Sequence, residues 1–161
     1  MLFRSADAFV KKYPKSSLRR HLVDTIADQV FDEKDPAQRL TLAQKALTVF
    51  TADSEVAAFK PAVIDAYLKL GRFDEAFAEG ASQLAKDPDN IEILVNLAIT
   101  GTEQAKLRNA KYVPQSQQYG LKGIELIEAD KKPAYMVGGI WQKFKGTHSV
   151  RAKIRCGFST W

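Results

Sequence analysis

The sequence predicts an all-α, right-handed solenoid of about three and a half antiparallel helix pairs. Amphipathic segments of helical period follow one another along most of the chain, and no stretch alternates with period two for long enough to indicate a sheet. The breaks at Pro14, Thr51 and Pro88 are 37 residues apart, and Pro133 follows 45 residues later. Regular breaks after each pair of helices are typical of stacked repeats, which bury their apolar faces against one another.

The first strongly periodic helix follows Ser16 and Ser17, either of which suits the N-cap position because its hydroxyl can accept from a free backbone N–H group. The apolar stripe of this helix recurs at four-residue spacing: Leu18, Leu22, Ile26 and Val30. That spacing predicts an amphipathic helix with one buried face.

Each later helix begins after a recognisable cap or turn. Asp35 followed by Pro36 predicts a helix start, because the carboxylate can cap the helix and the proline needs no hydrogen-bond acceptor at its first position. The remaining helices are predicted over residues 54–70, 73–86, 91–107 and 116–129. The polar segment RNAKYVPQS lengthens the third interval between breaks.

The stretch YLKLGRFDEAFAEGASQLAKDPDN, residues 67 to 90, resembles one unit of the tetratricopeptide repeat family. The matching positions, including two in the next unit, are Tyr67, Gly71, Phe73, Ala76, Pro88, Leu97 and Ala98. Each matched residue type has a physical reason: glycine permits the turn, alanine permits close helix packing, and proline ends a helix. The sequence departs from the family pattern at Ile64, Gly80 and Gln83. The resemblance covers roughly residues 2 to 133, so a repeat domain is predicted over 1–133.

The resemblance implies that the first helix of each pair lines a concave groove, which holds an extended peptide or a helix of a partner protein. The positions that it places there are His21, Thr25, Asp28, Ala58, Ala62, Asp65, Lys69, Glu92, Asn96, Ile99 and Glu103. This set mixes acidic and apolar side chains, so the expected partner segment carries apolar anchors and basic residues. Family members that clamp a terminal carboxylate use several basic and amide side chains, and here only Lys69 and Asn96 are of that type. The expected function is therefore a protein-protein interaction scaffold that is not an enzyme and needs no cofactor.

Composition limits the other function classes. Hydrophobic residues make up 45% and charged residues 27% of the chain, and no run approaches the roughly 20 apolar residues of a membrane span. The opening MLFRSADAF lacks the apolar stretch of a secretory signal, so a cytoplasmic location is expected, or a periplasmic one if the chain is a fragment without its signal sequence. The single cysteine, Cys156, excludes an internal disulfide and makes a cysteine-based zinc site an unfavourable interpretation.

Three short motifs can each be interpreted either as a chemical site or as a purely structural feature. His21 has Asp24 and Asp28 one and two turns later, which suits either a general base or an exposed helical histidine, and no second catalytic group accompanies it. The DPDN stretch at 87–90 suits either a calcium ligand set or a helix stop followed by an N-cap, and the further ligands of a calcium loop are lacking. Gly120 and Gly123 suit either a nucleic-acid clamp or close helix packing. The structural interpretation is favoured in each case, so no catalytic or metal site is predicted.

The C-terminal segment 134–161 differs from the rest of the chain in charge. From Lys131 to Trp161 there are seven basic residues and no carboxylate, whereas residues 1–130 hold 17 basic and 19 acidic residues. Residues 141–161 mix aromatic and basic side chains, which suits contact with single-stranded nucleic acid. The favoured alternative is one more helix start at 134–145 followed by a truncated or out-of-frame end. His148 and Cys156 match no metal-binding spacing.

A second hypothesis takes the chain as part of a longer protein. Its opening LFRSADAFVKKYP resembles the second helix of a pair whose first helix is missing. On that interpretation the repeats position other domains of an enzyme or of an envelope or secretion-associated protein.

Overall fold

A computed structural model of the chain describes residues 2–132 together with Trp141 and Gln142. Within those residues every regular element is helical and no strand is present, so the all-α prediction is confirmed. The α-helices are α1 (Leu2–Lys12), α2 (Leu18–Asp32), α3 (Pro36–Val49), α4 (Asp53–Lys69), α5 (Phe73–Lys86), α6 (Ile91–Lys106) and α7 (Val113–Glu128), with a 3-10 turn at Ala110–Tyr112 before α7. The predictions for 134–161, other than at residues 141 and 142, lie outside the described residues.

Two of the predicted helix starts are capped as their sequences indicate. The Asp35 carboxylate accepts a hydrogen bond of 2.8 Å from the backbone N–H of Ala37 at the start of α3. The Asn90 side chain accepts one of 3.3 Å from Ile93 at the start of α6, directly after the DPDN stretch. Both caps satisfy an amide that the helix itself leaves without an acceptor.

The start of α2 differs in part from the prediction. The Ser16 hydroxyl accepts a hydrogen bond of 3.2 Å from the backbone N–H of Leu18, whereas Ser17, at the N-cap position, makes no capping bond. Leu18 is 62% exposed, although the apolar stripe placed it on the buried face. The buried residues of α2 are Val23, Ile26, Ala27 and Val30, so the buried face is rotated around the helix from the predicted stripe and does not include Leu18.

Three helices end in the same backbone motif. The residue after the C-cap has a positive φ at Gly71 (72°), Arg108 (64°) and Asp130 (52°). At the end of α4 the Arg72 N–H donates to the Tyr67 carbonyl at 2.9 Å, and equivalent bonds close α6 and α7. This arrangement, the Schellman motif, satisfies the last free carbonyls of a helix and favours glycine at the left-handed position. Only the first of the three ends has that glycine.

The chain forms two compact units, Met1–Gln83 and Leu84–Trp161, called unit 1 and unit 2 below. In unit 1, α2 contacts both α3 and α4, α1 contacts α3, and the most extensive contact is between α3 and α4. Phe50 and Phe59 stack at the centre with their ring centroids 5.5 Å apart. The other large core side chains of unit 1 include Val23, Ile26, Val30, Leu40 and Val63.

In unit 2, α6 and α7 pack along their lengths at very short range. Gly101 on α6 lies so close to Ser116 on α7 that an ideal Cβ atom at residue 101 would be 1.7 Å from the Ser116 Oγ atom. The buried Ser116 hydroxyl donates a hydrogen bond of 3.2 Å to the Leu97 carbonyl. Gly123 also faces α6, as the helix-packing interpretation predicts, and a Cβ there would lie 3.5 Å from Val95.

Candidate partner-binding groove

An open groove of about 490 Å³ lies between α1 and α2 in unit 1. We call it the α1–α2 groove, and its lining residues are Ser5, Ala6, Phe9, Leu18, His21, Leu22 and Thr25. The apolar members come from the helical spacing of Ala6 with Phe9 on α1 and of Leu18 with Leu22 on α2. The groove therefore presents a mainly apolar surface with polar side chains at a few points.

Two of the three sequence-predicted positions on α2 line this groove. His21 and Thr25 are both exposed, and the Thr25 hydroxyl donates to the His21 carbonyl at 2.8 Å. Asp28, the third, is exposed on the same helix three residues after Thr25. The Asp24 carboxylate, one candidate orienting group for His21, lies 3.4 Å from the Arg20 Nε atom instead.

The predicted positions on α4 are mostly occupied by internal packing. Ala62 is fully buried in the core of unit 1, and Ala58 is half-buried against it, so these side chains offer a partner little or no surface. Lys69 is exposed and lies 3.0 Å from the Asp65 carboxylate. Asp65 also pairs with Arg39 of α3. The α4 positions thus take part in holding α3 and α4 together.

The Arg39–Asp65 ion pair joins α3 to α4. The Arg39 side chain is only 7% exposed, and its Nε atom donates to the Glu33 carbonyl at 3.0 Å. A buried guanidinium needs both a carboxylate and further acceptors, because its desolvation is otherwise uncompensated. Asp65 and the Glu33 carbonyl together supply these acceptors.

The second pair joins Arg19 of α2 to Glu55 in the first turn of α4. Arg19 binds both carboxylate oxygens of Glu55, with the Nη2 to Oε2 distance at 3.0 Å, and Glu55 also accepts from the Ala52 backbone N–H at 3.3 Å. The Arg19 guanidinium holds the pKa of Glu55 below its usual value of 4.5, although burial acts in the opposite direction. Sequence periodicity placed Arg19 on a polar face and did not indicate this pair.

We expect Glu55→Gln to reduce the stability of unit 1 by about 2 kcal/mol at neutral pH, since the substitution removes a charged bidentate hydrogen bond. A carboxyl whose pKa is lowered by folding stabilises the protein above its unfolded pKa and loses that contribution as pH falls through the folded pKa. The wild type should therefore lose more stability than Glu55→Gln on acidification from pH 6 to below the usual pKa of 4.5. Urea unfolding followed by circular dichroism at several pH values measures both effects.

A matched control for that experiment is Glu75→Gln. Arg72 also lowers the pKa of Glu75, but this pair is largely exposed, with Glu75 at 45%, and lies within one helical turn. Solvent screens such pairs, so the control should change stability little. Equal losses in the two variants would contradict a special role for the Arg19–Glu55 pair.

In unit 2 the predicted positions lie on α6. Asn96 and Glu103 are exposed, Ile99 is half-buried, and Glu92 is half-buried in the first turn. Burial raises the pKa of the Glu92 carboxyl. The charged form of Glu92 is disfavoured in the folded protein. This residue therefore contributes less to stability as pH rises through the ordinary pKa of a glutamate carboxyl. The role of these four residues in partner binding stays a prediction.

The motif residues behind the family resemblance occupy structural positions. Gly71 forms the left-handed turn after α4, Ala76 is fully buried on α5, and Leu97 and Ala98 are fully buried on α6. The Arg72 guanidinium lies over the half-buried Tyr67 ring at 4.6 Å from its centroid. The half-buried Phe73 begins α5, and the exposed Pro88 follows the end of that helix.

Comparison with models of protein families, with curated proteins and with solved structures finds no match to this chain. In the described part of the chain, no group of three His, Cys, Asp or Glu side chains is placed to hold a metal ion. None of the helices there has the length and apolar character needed to cross a bilayer.

Sequence reasoning did not find the α1–α2 groove as such. It predicted His21 and Thr25 but not the apolar lining formed by Phe9 and Leu18. The available signal was the spacing of Ala6, Phe9 and Val10 in α1, which predicts a helix with one apolar face. That α1 leaves part of this face open could be seen only from the way the helices pack.

Proposed function

We propose that this chain is a non-enzymatic protein-binding module of stacked helix pairs, in which the α1–α2 groove takes up a segment of a partner protein. The observation that carries the proposal is the groove itself. Phe9, Leu18 and Leu22 together form one accessible apolar surface in the groove. Phe9 and Leu22 are half-buried, and Leu18 is 62% exposed. Exposed apolar patches of this kind mark interaction sites in stable domains.

The packing of unit 1 supports the stacked-pair part of the proposal. A helix in such a stack contacts both its own partner and a helix of the next pair, and α2 contacts α3 and α4 in this way. The right-handed course of the stack and the likeness to tetratricopeptide repeats belong to the same proposal. They rest on the break spacing and on the residue pattern at 67–90.

A protein segment suits the groove better than a small molecule does. Small-molecule sites bury most of the ligand surface and hold it with several convergent polar groups. The α1–α2 groove is open to solvent, and its polar side chains are Ser5, His21 and Thr25. One of these, Thr25, already donates to a backbone carbonyl.

The test is selection of peptides from a random display library on the immobilised protein, followed by binding measurements with Leu18→Asp. We expect the selected peptides to bind the wild type and to lose at least about tenfold in affinity for the variant, the equivalent of about 1.4 kcal/mol. Leu18 is exposed and is the first residue of its helix, where an acidic side chain is favourable, so the fold should persist.

The matched control is Leu121→Asp on α7. Leu121 is 65% exposed, close to the value for Leu18, and belongs to unit 2, whereas the groove is formed by unit 1. Peptides that bind through the α1–α2 groove should retain their affinity for this control. Failure to select peptides, or equal loss in both variants, would overturn the proposal.

A further inference from the structure

We infer that the occupant of the α1–α2 groove is an amphipathic α-helix of the partner protein, with a short aliphatic stripe and a basic side chain beside Asp28. This inference rests on the proposed function, because it specifies the conformation and chemistry of the segment that the groove binds.

Backbone hydrogen bonding favours a helix over an extended segment. An extended peptide exposes backbone N–H and C=O groups along its whole length, and each one loses stability when it is buried without a partner. The lining side chains Ala6, Phe9, Leu18 and Leu22 can neither donate nor accept a hydrogen bond. A helix satisfies its own backbone groups and can lay an apolar stripe on such a surface.

Unit 1 contains an example of the same kind of contact. Helix α2 contacts α3 and α4 and buries one stripe, formed by Val23, Ile26, Ala27 and Val30. These residues are spaced at i, i+3, i+4 and i+7, the pattern of one helix face. The α1–α2 groove lies between α1 and α2, and both of these helices contact α3.

The length of the groove limits the length of the stripe. Its lining on α2 runs from Leu18 to Thr25, which corresponds to roughly 10 Å along the helix axis. Two turns of a bound helix cover that distance, so the groove accommodates about three or four aliphatic anchors.

Charge at one end of the groove indicates the orientation of the bound helix. Asp7 and Asp24 lie on the same two helices and are held by Lys11 at 2.8 Å and by Arg20 at 3.4 Å. Asp28 follows Thr25 on the groove side of α2, is exposed, and makes no ion pair among the described residues. A lysine or arginine of the partner at this end would complement the carboxylate.

The inference is tested with two display libraries of peptides of about 16 residues, long enough for a helix to form. The first varies aliphatic positions at i, i+3, i+4 and i+7 on an alanine and glutamine scaffold, with one further position open to any residue at either end. The second presents the same varied residues at alternating positions between threonines and a proline, which favours an extended conformation. We expect groove-dependent binders, lost with Leu18→Asp and kept with Leu121→Asp, from the first library.

The charge arm uses two substitutions that each raise the net charge by one. Asp28→Asn should reduce the affinity of the selected helices by about threefold to tenfold and abolish the enrichment of lysine and arginine at the end position. Asp24→Asn, which removes a carboxylate of the same helix that Arg20 already pairs with, should leave the enrichment in place. Enrichment that survives Asp28→Asn would overturn the assigned orientation.

The outcomes separate the inference from the function on which it rests. Groove-dependent binders from the extended library alone would overturn the helical occupant while supporting the protein-binding function. No groove-dependent binder from either library would overturn both.

Discussion

Replacing Gly101 with alanine is expected to destabilise unit 2 by about 3 kcal/mol. The new Cβ atom would lie 1.7 Å from the Ser116 Oγ atom and 2.6 Å from its Cβ atom. A rotation of the Ser116 side chain can move its Oγ atom, but it cannot relieve the contact with the Cβ atom, which is fixed to the backbone of α7. Helices α6 and α7 must therefore separate along their length, and this loosens the core contacts of Leu97 and Ile124.

The measurement for Gly101→Ala is urea unfolding followed by circular dichroism, with Gly123→Ala as the matched control. Both glycines lie in helices and face the neighbouring helix, but a Cβ at Gly123 would have its nearest neighbours at 3.5 and 3.9 Å, ordinary van der Waals distances. Alanine also has the higher helix propensity, by about 1 kcal/mol. Gly123→Ala should therefore be neutral or slightly stabilising.

A rescue variant separates a local clash from a general intolerance of substitution at residue 101. Adding Ser116→Gly to Gly101→Ala removes both overlapping atoms and should recover part of the lost stability. Recovery remains partial because Ser116→Gly also removes the hydrogen bond to the Leu97 carbonyl and places glycine within a helix. A stable Gly101→Ala variant, or equal effects at residues 101 and 123, would contradict the close packing of α6 on α7.

Replacing Asp65 with asparagine is expected to destabilise unit 1 by about 2 kcal/mol. The substitution keeps the side-chain shape but leaves the Arg39 guanidinium, which is 7% exposed, without its carboxylate. Breaking a fully buried pair costs roughly 3 to 5 kcal/mol, and the expected loss is smaller because the Asp65 side chain is 31% exposed. Urea unfolding of the variant measures the change.

Lys69→Ala is the control for Asp65→Asn, since Lys69 is the second cation near the same carboxylate and is 52% exposed. An exposed pair within one helix contributes only about 0.5 kcal/mol or less. A double-mutant cycle with Arg39→Met should give a coupling energy of about 1 to 2 kcal/mol between residues 39 and 65. Additive effects of the two substitutions would show that Arg39 and Asp65 do not depend on each other.

Helix positions were predictable from the sequence because local signals determine them. Asp35–Pro36 and Asn90 carry capping groups that act within one turn, and Gly71 allows the left-handed backbone that the end of α4 requires. The ends of α6 and α7 use the same left-handed conformation at Arg108 and Asp130. Neither position has the glycine that would have indicated this conformation from the sequence. Backbone hydrogen bonds from Asn109 to the Gln104 carbonyl and from Lys131 to the Leu126 carbonyl hold the left-handed backbone at these two positions.

The candidate site was less predictable because it depends on which residues meet across helices. Asp65 and Ala62 were expected on a groove, but one is paired with Arg39 and the other is buried. Periodicity identifies the face of a helix and does not identify the partner of each face. The sequence predicted that α1 has an apolar face. It did not predict which part of that face the other helices leave exposed.

The Arg19–Glu55 and Arg39–Asp65 pairs both end on α4, at Glu55 in its first turn and at Asp65 in its fourth. If α4 detached, the Arg39 guanidinium would lose its carboxylate and the partly buried Arg19 would lose its own. Local opening of α4 therefore carries the penalty of two uncompensated cations in addition to lost core contacts. The consequence is cooperative unfolding, in which α2, α3 and α4 open as one unit and their amide hydrogens exchange with solvent together.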